Sequence, residues 1–525
     1  MPTLDENDRG SHAHSWRGGT PLWHHVAAGM SITLLLVLMQ YRSGAYSSDL
    51  TSDPDEPAHA VSSLMVRDYL AQAFPANPVA FARDFAAHYS KVAIGHWPPL
   101  FYCGEGLWML AAGRSRVAML LFVGLCGAAL VFSVYSMVRR YTSIPVAPIG
   151  IGVLIYPREF GRVLATVRPE MLLALVVFWA AVQCGKYMSS GNRKSRNFFL
   201  VLTATALLVH GRAGVLLLLP FCLLPLRTRA SRWKWAASGV FLTLLFVVLP
   251  FVGQTDGFSL RPALFRTSAY VIGIYSNMGW PALALALTGA TLAFRASEQR
   301  PFWAAMAALP LCGLVFQLLA TVHYDERNLI TVLPALAVLA GGGVQVLLDG
   351  MRTQMQRMPR IACAIVALAA LAWLAPAVAR VQKKQSFGYR KLVAECVLCG
   401  HTVSLIGADA TNEGGLIAEA SLSDPSRTRT VLRSSKALAH STWSGKYYRL
   451  LFASPPDVLH FLDAAGVSLV VVQAANPRPD IVQLRSALAL DPSVWKREAS
   501  SIAGMDVYRR AAGDSAYKPQ AVYNR

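Results

Sequence analysis

Residues 22–56 read LWHHVAAGMSITLLLVLMQYRSGAYSSDLTSDPDE. The first part, Leu22 to about Gln40, is apolar over a length that crosses a hydrocarbon core of roughly 30 Å. No small-residue cleavage site follows it, so it reads as a retained anchor behind a polar tail at residues 1–21. The last part gathers three carboxylates, Asp53, Asp55 and Glu56, immediately beyond that anchor. Acids beside a span are either outside the hydrocarbon or functional, because a charge at the bilayer centre costs roughly 2.5–3.5 kcal/mol on insertion scales.

Further apolar segments recur at about 117–138, 144–157, 170–187, 198–210, 213–226, 233–253, 273–294, 302–321, 328–348 and 361–379. This pattern predicts a polytopic α-helical membrane protein of about eleven transmembrane helices. The third, fifth and sixth segments are short, and must tilt into neighbours, borrow flanking polar residues, or fail to span. Composition agrees: 54% of residues are hydrophobic, the mean hydropathy is +0.39 and only 15% are charged, against roughly 25% in soluble domains. That excludes a disordered, collagenous or ordinary soluble chain.

The net charge of +20 suits either nucleic acid or the cytoplasmic loops of a membrane protein. Its placement decides. Basic residues cluster in alternate connections, at Arg139-Arg140, Lys186 to Arg196, Arg227 to Lys234, Arg295/Arg300 and Arg352 to Arg360. The other connections carry the acids: Asp53, Asp55, Glu56, Glu105, Glu159, Glu170, Asp256, Asp325 and Glu326. The positive-inside rule then puts the N-terminus in the cytoplasm, the chain in the inner (cytoplasmic) membrane, and everything after Ala379 outside. Nucleic acid drops out as a partner; the lipid bilayer takes its place.

The expected organisation is a cytoplasmic tail at 1–21, a membrane domain at 22–380 with a large outer loop at 42–116, an extracytoplasmic α/β domain at 388–512, and a tail at 513–525. Within the outer loop, Ala58, Val61, Met65 and Tyr69 form one helical stripe, and 99–112 is apolar and aromatic; both suit helices lying in the interface. In the terminal domain 403–408, 467–472 and 506–509 read as strands, and 456–465 and 481–489 as helices. Cys396 and Cys399 form a single CxxC followed by His401, which reads as a local disulfide or two free thiols, with a redox or metal role as the alternative.

Read alone, the acid cluster is an N-cap with acids in a first helical turn. It has company on the same side: His96-Trp97-Pro98-Pro99-Leu100-Phe101-Tyr102, then Arg168-Pro169-Glu170, then His210-Gly211-Arg212, and His323-Tyr324-Asp325-Glu326-Arg327. Each arginine read singly is a topology anchor or a snorkelling residue; as a set on the outer side, their forked guanidinium groups suit a lipid phosphate.

The order of a first span, Asp-Glu opening an outer helix, a Pro-Pro-Leu-x-Tyr box and Arg-Pro-acid at the fourth span resembles the C-type membrane glycosyltransferases. Within them it is most similar to the branch of protein O-mannosyltransferases and lipid A aminoarabinose transferases. The likeness covers roughly residues 20–350, and the terminal domain is similar to the periplasmic domains of bacterial members. Two positions depart from the pattern: Trp97 stands where Lys or His often precedes Pro-Pro, with His96 shifted by one, and the second acid is Glu170 in place of the commoner Asp.

The resemblance implies transfer of a sugar from a polyprenyl-phosphate-linked donor to an acceptor hydroxyl, the acceptor being protein, lipid or envelope glycan. Asp55, with Glu56 and Glu170, would form the catalytic set, Asp55 as base of an inverting single displacement. His96, Arg168, Arg212 and Arg327 would meet the donor phosphate, and Tyr102, His323 and Tyr324 would line the pocket. No Gly-rich nucleotide loop is needed, and none is present in the sequence. No metal ligands or cofactor are implied, although the chemistry leaves room for a divalent cation. Two readings compete: a lipid or solute transporter, which predicts paired repeats and mid-membrane charges, and an inert scaffold presenting the α/β domain.

Overall fold

The computed structural model describes residues 21–92, 95–142, 146–224, 260–295, 298–319, 325–351, 359–397, 403–440 and 448–511. The expected segment at 233–253, the pocket residues His323 and Tyr324, Cys399 and the side chain of Cys396 lie outside the described residues.

The chain begins with α1 (Leu22–Ser43), α2 (Glu56–Asp68), α3 (Pro78–His88), α4 (Leu100–Ala112) and α5 (Arg116–Tyr141). It continues with α6 (Ala147–Ile155), α7 (Arg158–Leu164), α8 (Glu170–Ser190), α9 (Arg193–Val209) and α10 (Val215–Cys222). Then follow α11 (Leu260–Ala290), α12 (Arg300–Leu319), α13 (Leu333–Gly350) and α14 (Pro359–Ala379). Six of the described helical stretches are long and apolar enough to cross a membrane: Leu22–Ser43, Arg116–Tyr141, Glu170–Ser190, Leu264–Ala293, Arg300–Leu319 and Leu333–Gly350.

The short segments resolve in different ways. Helix α9 lengthens its apolar run with the polar turn Arg193–Asn197, started by Asn192, whose side chain accepts from the Lys194 N–H. Helix α6 has nine residues, about 14 Å at 1.5 Å per residue, and stops at Pro157 before α7. It does not reach across a bilayer by itself. Helix α11 starts well ahead of the predicted segment and breaks at Gly279 (φ 71°), two residues before Pro281. A positive φ there suits glycine, and the proline removes a helical donor.

Small residues set how closely the long helices approach. Where α11 crosses α13, a Cβ on Gly289 would lie 1.8 Å from the Leu339 carbonyl, and one on Gly343 2.0 Å from that of Leu285. Close backbone approach through small residues is the usual membrane solution, since lipid offers no hydrophobic drive for association.

The terminal unit contains strands β1 (Val403–Gly407), β2 (Thr430–Arg433), β3 (Leu469–Gln473), β4 (Trp495–Glu498) and β5 (Met505–Arg510) in the order β2-β1-β3-β5-β4. β1 pairs in parallel with β2 and β3; β5 runs antiparallel to β3 and β4. Helices α15 (Ala410–Ser423), α16 (Pro455–Ala464) and α17 (Pro479–Leu490) complete it.

One expectation is corrected. Helix α2 does not lie in a lipid interface: every residue from Glu56 to Leu64 is buried, because α4 covers one side and α15 another. At the second contact a Cβ on Gly414 would sit 2.6 Å from Pro57, and one on Gly415 2.1 Å from Thr51. Helix α4 fits the interfacial reading better, with Leu107 and Leu110 exposed.

Candidate active site

Asp53, Asp55, Glu170, Arg168 and Arg327 converge at one end of the helix bundle. Asp53 takes the capping role expected of the cluster. Its Oδ1 accepts from the backbone N–H groups of Asp55 (2.8 Å) and Glu56 (3.2 Å) and pairs with Arg168. Burial pushes the Asp53 carboxyl up, but Arg168, Arg327 and those two amides hold it below its ordinary value.

That division leaves the Asp55 side chain turned to the arginines. Its Oδ2 lies 2.9 Å from Arg327 Nη2 and 3.6 Å from Arg168 Nη2. At 22% exposure it stays reachable, whereas Arg168 (2%) and Glu170 (3%) are buried behind it. Glu170 opens α8, where a carboxylate meets the positive end of the helix dipole; its Oε1 lies 3.6 Å from Arg168 Nη1 and 3.9 Å from Arg327 Nε.

Arg327 comes from a 3₁₀ turn, Glu326–Thr331, capped by Asp325, which accepts from its backbone N–H at 3.0 Å and pairs with its Nε at 2.7 Å. Arg162 extends the network, bridging Glu159 (2.8 Å) and Asp325 (3.4 Å). Arg212 stands on another 3₁₀ turn, Gly211–Gly214, where the His210 ring accepts from its backbone N–H. The Arg212 Nε and Nη1 atoms are buried with no hydrogen-bond partner among the described residues. Buried donors without acceptors are costly, and an anion in this place would satisfy them.

His59, one helical turn after Asp55, lies under the site. Its Nδ1 is 2.8 Å from the Tyr102 hydroxyl, and its ring packs on Trp97 at 4.3 Å. Burial and the nearby Arg168 charge push the His59 pKa well below its usual value, keeping the ring neutral. Tyr102 is thus held against His59, and burial raises its hydroxyl pKa. His96 is exposed at the rim, edge-on to Trp97 at 4.7 Å.

Glu56 sits apart from the arginines. It is fully buried, and both its oxygens are engaged by Lys384 and by the backbone of Ser52 and Val167. Beside it opens a cavity of about 400 Å³ lined by Thr51, Ser52, Arg162, Glu326, Lys383 and Lys384, among others. Among the described residues no group of three His, Cys, Asp or Glu side chains is arranged to hold a metal ion.

Sequence reasoning did not single out His59 or Lys384 as parts of this site, and gave Asp325 no role of its own within its motif. His59 carried a signal, its i+4 spacing from Asp55 on a helix. Lys384 carried none, being brought to Glu56 across 328 positions.

No family model matches the sequence, and no curated protein matches it. Solved structures do match in fold. ArnT from Cupriavidus metallidurans, bound to undecaprenyl phosphate, superposes with a TM-score of 0.56 at 16% identity, covering 95% of this chain and 99% of that one. The oligosaccharyltransferase of Archaeoglobus fulgidus, in its apo form, gives a TM-score of 0.55 at 13% identity, over 88% of this chain and 70% of that one. With two unlike enzymes superposing over most of its length, the chain has the fold of the C-type membrane glycosyltransferases.

Proposed function

We propose that this chain is an integral membrane glycosyltransferase that moves a sugar from a polyprenyl-phosphate donor to an acceptor hydroxyl at the extracytoplasmic face of the inner membrane. The observation that carries the reading is the reachable Asp55 carboxylate, set between Arg168 and Arg327, with Arg212, whose buried donors are unfilled, near the adjoining Glu170. The likeness to a protein bound to undecaprenyl phosphate supports a lipid-linked donor. It leaves the acceptor open.

In this mechanism Asp55 accepts the proton of the acceptor hydroxyl as its oxygen attacks the anomeric carbon. The bond to the phosphate oxygen breaks on the opposite face, so the anomeric centre inverts. Arg327 and Arg212 take up the charge that develops on the departing phosphate, Arg212 gaining the acceptors its buried donors lack. Arg168, whose two Nη atoms face carboxylates, fixes Asp53, Asp55 and Glu170 against one another. His96 at the rim is suited to contact the donor head group. About eleven helices cross the membrane, with the tail at 1–21 in the cytoplasm and the α/β domain at 388–512 outside.

Mass spectrometry of the envelope glycans and lipid-linked sugars of a strain lacking the gene tests this reading. One sugar should be missing from an envelope acceptor while its polyprenyl-phosphate form accumulates. Unchanged profiles would return the chain to the transporter or scaffold class.

A further inference from the structure

We infer that Lys384 is a positioning residue for the reaction proposed above, acting through Glu56 to hold the base and its arginine in register; the inference rests on that reading. Glu56 follows Asp55 directly, yet its carboxylate turns away from the arginines into a closed setting. Oε2 accepts from the Ser52 N–H at 2.8 Å; Oε1 accepts from the Val167 N–H at 3.1 Å and from Lys384 Nζ at 2.5 Å. Ser52 immediately precedes Asp53, and Val167 immediately precedes Arg168. One buried carboxylate thus ties together the two backbone segments whose side chains make the Asp53–Arg168 and Asp55–Arg168 pairs.

Such a clamp is only as good as its counter-charge. Glu56 is 0% exposed and the Lys384 side chain 5%, and a buried carboxylate deprived of its cation either takes up a proton or moves toward water. Either response loosens the grip on Ser52 and Val167.

Lys384 is itself held in place along the same loop. Its backbone N–H donates to the Ser43 carbonyl at 2.8 Å and its ammonium also reaches the Ala165 carbonyl at 3.5 Å. The neighbouring Lys383 ammonium donates to the Arg42 carbonyl at 2.6 Å, and the Phe387 and Gly388 N–H groups donate to Asp49 Oδ2 at 2.5 and 3.0 Å. The segment leaving α14 therefore runs as a strap alongside residues 42–56, with Lys384 pointing from it into the clamp. The same strap walls the cavity next to Ser52. Arg212 and Arg327 stand on other turns and, among the described residues, have no bond to this clamp. Loss of Lys384 should accordingly disturb the base side of the reaction and spare phosphate binding.

The test uses the full-length protein in two measurements. Plasmid-borne variants are returned to the deleted strain and the restored envelope sugar is quantified; in parallel, binding of undecaprenyl phosphate to the purified variants is followed by thermal shift. Lys384→Met should restore only about one hundredth of the wild-type sugar, the scale of loss expected for a misplaced reacting group. Its half-saturating undecaprenyl phosphate concentration should stay within threefold of wild type, and Lys384→Arg, which keeps the charge, should recover most of the transfer. The inference is overturned if Lys384→Met restores half or more of the sugar, if it loses phosphate binding along with transfer, or if Lys384→Arg is no better than Lys384→Met. An active Asp55→Asn variant would instead sink the catalytic reading. Inactive Asp55→Asn beside intact Lys384→Met would sink only the role of Lys384.

Discussion

Asp53 and Asp55 are two residues apart and do different work. Asp53 spends its carboxylate on two backbone amides and Arg168, while Asp55 presents its own toward Arg327. Asp53→Asn keeps an oxygen for the amides and loses only charge, so we expect about a tenfold fall in restored sugar, with a larger fall for Asp53→Ala, which also removes a cap normally worth about 1 kcal/mol. For Arg212→Met we expect at least a tenfold weakening of undecaprenyl phosphate binding, read by thermal shift, with the fold intact; unchanged binding would remove Arg212 from the phosphate side. The sequence made Asp55, Arg168, Glu170 and Arg327 legible because each sits where a span meets a loop, and the structure brings these four together. It could not show that Glu56 faces away from its neighbour, since that depends on Val167 and Lys384, which no local pattern connects to it.

At the scale of elements, α2 is set by what packs on it. Gly415 meets Thr51 so closely that any Cβ must displace the Thr51 side chain. Gly415→Val should destabilise the docked terminal unit by about 1–3 kcal/mol, visible as earlier proteolysis of that unit. Helix α4 brings a fully buried acid, Glu105, whose pKa burial raises to about 8. A pKa raised in the folded state gives stability that is complete below about pH 4.5 and fades as pH rises through 8. The wild-type melting temperature should therefore fall between pH 5 and 9, and Glu105→Gln should flatten that slope, gaining roughly 2–4 kcal/mol at the alkaline end; parallel curves for the two proteins would refute it. The long apolar helices were legible from composition. Helix α15 was missed because Gly414 and Gly415 weaken its helical signal, and β2 and β4 because each has only four residues. The burial of α2 was hidden for a related reason: an amphipathic stripe looks the same whether lipid or a distant helix covers it.

For the whole molecule, the proposed topology makes most of the +20 net charge a record of orientation, and the proposed chemistry uses a minority of arginines set among carboxylates at one end of the bundle. Single cysteines introduced at Ser189 and Asp491 in a cysteine-free background should react with a membrane-impermeant maleimide from opposite sides, Asp491→Cys in intact cells and Ser189→Cys only after lysis. Labelling of both from the same side would contradict the assigned topology. The most direct test of the chemistry is to return wild-type or Asp55→Asn protein, at matched membrane levels, to the deleted strain and to measure envelope glycans and polyprenyl-phosphate sugars by mass spectrometry. Wild type should restore the missing sugar and clear the accumulated donor, and Asp55→Asn should do neither, with restoration below about one thousandth of wild type, within the range lost when a general base is removed. Near-normal restoration by Asp55→Asn would contradict a reaction that depends on this carboxylate.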